Sequence, residues 1–169
     1  MMKKIIGMLL LVGLLAGMLA GCGVQRPAIK EAKFDFTVTY ELDGAVKTVS
    51  GVYACKYDGI SWALDSGRTR SWKGQVEGVE TTGVGDDIKL GTTEDGGNII
   101  LALAFYPSYF MGDMEMEAPV PYLVVEYPAT EGQEIKFFND ANTIAENFGA
   151  KIVSYEYDAP IVNTFGKAK

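Results

Sequence analysis

Catalytic chemistry has few starting points in this chain. Its 169 residues include no histidine, which removes the Ser-His-Asp triad, the Cys-His dyad and every metal site that needs an imidazole. Cys22 and Cys55 are the only thiols. A reactive thiol needs a pKa lowered by a basic neighbour or a helix end; the neighbour expected for Cys55 is Trp62, so Cys55 reads as buried and inert. Asp86 and Asp87, and the series Asp113, Glu115 and Glu117, are carboxylates of the kind used in acid–base pairs. Such pairs stand about 5 to 10 Å apart, a separation that chain spacing does not define, and none is nominated as catalytic. The stretch Glu94-Asp95-Gly96-Gly97-Asn98 lacks the alternating oxygen ligands and closing glutamate of a calcium loop and reads as a turn. No metal or dissociable cofactor is expected, and an enzyme working through Asp, Glu, Lys, Tyr or Ser ranks third among the functional readings.

Two segments offer binding chemistry instead. Arg68, Arg70, Trp72 and Lys73 crowd together, a basic-aromatic group suited to an anion, a sugar face or lipid headgroups. The plainer reading is a solvated hairpin rim whose long stems cover Trp72, and it takes precedence. Pro107 to Pro121 is long for a loop and carries Tyr109, Phe110, Met111, Met114 and Met116 among Asp113, Glu115 and Glu117. Flexible methionines beside aromatics suit an adaptable contact surface for a peptide or hydrophobic ligand. The alternative is a loop whose apolar residues cap the core while its acids face water.

The amino terminus reads as an address. Lys3 and Lys4 precede sixteen mostly apolar residues, Ile5 to Ala20, the layout of a secretory signal peptide and short of the about 20 residues that span a bilayer. Leu19-Ala20-Gly21-Cys22 then resembles the lipobox of bacterial lipoproteins, where small residues precede a cysteine that is lipidated and becomes the first residue after cleavage. The resemblance implies a diacylglycerol thioether and palmitate-like acyl chains on Cys22, and retention outside the cytoplasm on the cell membrane or outer membrane. Gly23, in place of Asp, follows that cysteine, which in a two-membrane bacterium implies the outer membrane. The alternative is an ordinary cleaved signal that leaves Cys22 as a plain thiol. Residues 1–21 are thus the expected signal peptide, 22–32 a lipidated start and flexible tether, and 33–169 one extracytoplasmic domain.

Composition agrees with a single domain: 48% of residues are apolar and 22% charged, enough for one core. Fifteen basic against twenty-two acidic residues give a net charge of -7. Without Lys3 and Lys4 the balance is thirteen against twenty-two, or -9, which argues against a nucleic acid partner. Once Cys22 is lipidated, Cys55 has no disulfide partner within the mature chain.

The elements that must position these groups read as strands. Phe34, Phe36, Val38, Tyr40 and Leu42 alternate with polar residues, a half-buried strand. Asp43-Gly44 supplies a two-residue hairpin turn that sets Leu42 against Ala45, Val38 against Val49 and Phe34 against Tyr53. A second turn is expected at Asp58-Gly59, with Tyr57 opposite Ile60, Cys55 opposite Trp62 and Tyr53 opposite Leu64, giving a meander over residues 34–65. A hairpin through Glu94 to Asn98 joins Ile88–Thr93 to Ile99–Tyr106, the latter buried on both faces and central. Tyr122–Tyr127 and Glu134–Phe138 follow as strands around a turn at Thr130 to Gly132. Asp140 caps a short helix near 140–148, ended by Gly149, with Ala141, Ile144, Ala145 and Phe148 on one face. Lys151–Tyr157 is the last strand. The fold class is mostly β: an antiparallel β-sandwich or partly closed barrel of seven or eight strands with one late helix. The expected function is a membrane-anchored, non-enzymatic binding or envelope-associated module. The runner-up is a carrier for a small apolar ligand, lined by aromatics from Phe34 to Trp62 and closed by the methionine-rich loop.

Overall fold

The structure, a computed structural model, describes residues 24–64, 67–82, 86–127 and 136–166. Cys22 with its lipobox-like tetrapeptide and the turn expected at Thr130 to Gly132 lie outside the described residues. The alternating segment forms β2 (Glu31–Leu42), after a two-residue strand β1 (Arg26–Pro27), and β2 pairs antiparallel with β3 (Ala45–Ala63). Asp43 and Gly44, with φ of 54° and 74°, make the two-residue turn between them, matching the right-handed twist of the ladder. Phe34 faces Tyr53, Val38 faces Val49 and Leu42 faces Ala45, as the turn dictates. Phe34, Phe36, Val38, Tyr40 and Leu42 are all buried.

The second expected turn does not form. Strand β3 runs straight through Asp58-Gly59, where the register with β4 (Gly67–Glu77) shifts by one residue, and Gly59 has a φ of 104°. A bulge has taken the left-handed conformation that a hairpin would have used. Tyr57 therefore faces Trp72, Cys55 faces Gly74 and Tyr53 faces Val76, while Trp62 faces Arg68. Continuing the strand gives all of β4 a backbone partner, and the Tyr57 N–H is held by the Lys30 carbonyl at 2.7 Å. Asp65 and Ser66, between β3 and β4, lie outside the described residues.

Strands β5 (Ile88–Thr92) and β6 (Asn98–Ala102) form the hairpin expected across Glu94 to Asn98, closed by Thr93 N–H to Gly97 carbonyl at 2.7 Å. β6 stops at Ala102, short of Tyr106, because Ala104 takes a φ of 53°; Leu103 and Phe105 beyond the strand still enter the core. Ile100 and Ala102 on the other face are buried too. A short helix α1 (Pro107–Phe110) and an irregular segment lead to β7 (Tyr122–Tyr127), which pairs with β8 (Lys136–Phe138). Helix α2 (Ala141–Phe148) is capped by Asp140, whose carboxylate accepts the Thr143 N–H at 2.8 Å and is held below the ordinary carboxylate range by it. Gly149 ends α2 in the left-handed conformation. Strand β9 (Ala150–Tyr157) returns to pair with β2, and β10 (Phe165–Gly166) pairs with β1.

Two four-stranded antiparallel sheets result, β4-β3-β2-β9 and β5-β6-β7-β8, beside the small β1-β10 ladder. They are separate sheets packed face to face over one apolar core, a β-sandwich with α2 touching both β7 and β9. The fold begins before Lys33: within the expected tether 22–32, Arg26 and Pro27 pair with β10, and Glu31 and Ala32 with β3. Short side chains matter where rings must fit. A Cβ at Gly74 would overlap the Tyr53 phenol, which is buried and donates to the Phe105 carbonyl at 3.3 Å. Gly74→Ala is expected to cost about 2 kcal/mol and lower the melting temperature by ~4–8 °C; a thermal melt unchanged from wild type would show that the ring has room to move.

Candidate interaction site

The functional candidates meet at one end of the sandwich, where β3 and β4 run on past the Asp58 bulge. On this extension Arg70 faces Ile60 across the ladder, and Trp72 faces Tyr57 with their rings edge to face at 5.4 Å. Asp113, from the segment after α1, lies against both. One carboxylate oxygen accepts the Arg70 Nε–H at 2.6 Å and also meets the guanidinium Nη2, while the other accepts the Trp72 indole N–H at 2.7 Å. Arg70 further donates to the Gln25 carbonyl at 3.2 Å and lies 4.0 Å above the Phe165 ring. One guanidinium thus ties together β4, the long loop and both terminal segments.

The basic-aromatic group is therefore divided. Arg70 and Trp72 are engaged internally, Lys73 sits 3.0 Å from Asp58 on the opposite face, and Arg68 is exposed across from Trp62. Their four side chains do not form a single anion site. Trp62, expected opposite Cys55 in the core, is 66% exposed because β3 carries it beyond the sandwich.

The loop candidates divide as well. Phe110 and Met111 are wholly buried and belong to the core, and Tyr109 is half-buried with its ring edge on Phe110 at 5.3 Å. Met114 and Met116 are 53% and 38% exposed, with Glu115 and Glu117 exposed beside them. The span carrying them is held at both ends. Asp113 is held by Arg70 and Trp72, and the Pro119 carbonyl accepts the Tyr157 hydroxyl at 3.1 Å.

Cys55 is buried, and burial followed by the Asp86 charge pushes its thiol up to about 12, so at neutral pH it is protonated and unreactive. Asp86 accepts the Val76 N–H at 3.2 Å; burial raises its carboxyl above the ordinary value, against the lowering effect of hydrogen bonds from Val76 and Tyr53. Asp87 is raised by burial and then by the charges of Asp86 and Glu126. Among the described residues, no group of three or more Cys, Asp or Glu is placed to hold a metal ion, and no helix is long and apolar enough to cross a membrane. Aromatics expected to line a carrier cavity pack on one another around Phe110, which meets Phe34, Tyr53 and Phe105 at centroid distances of 4.9, 5.4 and 5.2 Å. A groove of about 700 Å³ crosses β2, β3 and β4, lined by Lys33, Ala54, Lys56 and Gln75 and also by Cys55 and Gly74.

Sequence reasoning missed the partners of this site. Asp113 was one of a run of acids, and nothing local marked Gln25 or Phe165; only long-range packing brings them to Arg70. The geometry defines an antiparallel β-sandwich with a loop clamped across one end. The chain matches no protein-family model, no curated protein and no solved structure.

The Asp113 side chain is 8% exposed and that of Arg70 22%, so their pairing is screened far less than a surface ion pair. Asp113→Ala is expected to cost about 2–3 kcal/mol in urea denaturation, since it strands a half-buried guanidinium and an indole N–H. Amide hydrogen exchange should quicken between residues 112 and 118 while β2 and β3 keep their protection. Unchanged exchange in that span would mean that the loop is held by Phe110 alone.

Proposed function

We propose that this chain is a lipid-anchored bacterial lipoprotein whose β-sandwich works by non-catalytic contact with an envelope protein. The anchor half of this reading rests on the resemblance of Leu19-Ala20-Gly21-Cys22 to a lipobox. The contact half is carried by one observation: a span clamped at Asp113 and Pro119 that holds Met114 and Met116 out toward solvent, with Glu115 and Glu117 between and after them. A clamped loop loses little further conformational entropy on binding. Methionines adapt to irregular apolar grooves, and the two glutamates favour a groove rimmed by Lys or Arg. The close packing of rings around Phe110 favours surface contact over carriage of an apolar ligand there.

Metabolic labelling with a fatty acid should mark the wild-type chain and not the Cys22→Ala variant. In the lipidated chain, a photo-crosslinking amino acid at position 116 should yield one discrete adduct in intact cells, lost when Met114→Ser and Glu117→Lys are added. An intact mass showing Cys22 without a lipid adduct would sink the anchor reading. A featureless ladder of adducts would sink the contact reading.

A further inference from the structure

We infer that the outer rungs of the β3–β4 ladder are a second membrane contact, where Trp62, Leu64 and Arg68 rest on the lipid surface and fix how the anchored domain stands. This rests on the lipid anchor at Cys22. Three observations place these residues beside the bilayer. The chain from Lys30 back to Gln25 runs toward these rungs: the Lys30 carbonyl accepts from Tyr57, and the Gln25 carbonyl accepts from Arg70, whose cross-strand partner is Ile60. Cys22 lies only three residues from Gln25, a reach of at most about 11 Å. Trp62 lies two residues beyond Ile60 on the same strand, about 7 Å further along. An acylated Cys22 therefore holds the bilayer surface within reach of the outer rungs.

The exposed residues there match that surface. Trp62 and Leu64 are 66% and 92% exposed, although strand β3 holds Trp62 firmly by its pairing with Arg68. An indole suits the headgroup layer, with its ring among acyl chains and its N–H among polar groups. Arg68 is exposed directly across from Trp62 and supplies charge for lipid phosphates. The domain otherwise carries net negative charge, which discourages broader contact with an anionic leaflet. The methionine-rich loop is joined to the same extension through Asp113, so docking these rungs also fixes the direction in which Met114 and Met116 are presented.

The test uses the full-length gene product, purified as the mature chain and reconstituted in phosphatidylcholine–phosphatidylglycerol vesicles with lipids brominated near the headgroup. Trp62 and Trp72 are its only tryptophans. Wild-type indole emission should fall roughly twofold in brominated relative to plain vesicles, and Trp62→Phe should abolish that quenching while leaving the melting temperature near wild type. Wild-type emission that is unchanged in vesicles carrying the chain overturns the inference and leaves the anchor standing. Equal quenching of wild type and Trp62→Phe also overturns it, because the signal then comes from Trp72. An intact mass lacking the lipid adduct, with no flotation, overturns the anchor reading and removes this inference with it.

Discussion

Phe110 sits at the centre of the aromatic cluster that covers the inner face of the first sheet. It is fully buried, and its ring touches Phe34, Tyr53 and Tyr157 of the first sheet and Phe105 from the segment after β6. Edge-to-face and tilted rings of this kind add about 0.5–1.5 kcal/mol per pair beyond the area they bury. A ring contributed by a connecting segment, and not by either sheet, therefore packs on the inner face of the first sheet. The left-handed Ala104 and the brief helix α1 make this insertion feasible: the first turns the chain out of β6, and the second reverses it so that Phe110 points inward. Gly74 gives up its side chain to the same cluster, leaving room for the Tyr53 ring.

That insertion explains why the segment after it behaves differently. Once Phe110 and Met111 are committed to the core, Gly112 turns with a φ of 64° against the Ile161 carbonyl, and Asp113 emerges beside Arg70 and Trp72. A carboxylate largely shielded from water is stable there because both its oxygens receive charged or polar donors. The same guanidinium reaches Gln25 and Phe165, so the ends of the chain close over the loop's anchor point. Exposed Met114 and Met116 follow from this joint, which holds the span after Asp113 out toward solvent.

The sequence by itself determined the local geometry. Strict alternation in β2 set its buried face, and Asp43-Gly44 set the register with β3, because a two-residue turn admits one pairing. The Asp140 cap, the Gly149 stop and the Glu94 to Asn98 hairpin were equally local. Only tertiary structure could decide Asp58-Gly59, since positive φ serves a bulge as well as a turn; the partner strand that made the difference begins at Gly67. It likewise decided the β2–β9 pairing, whose register shift leaves Val153 out of the ladder, and the fate of the basic-aromatic group, because the acid that binds Arg70 lies 43 residues away. Periodicity reports which face of an element is apolar. What covers that face depends on contacts between distant segments, which no local pattern of residues encodes.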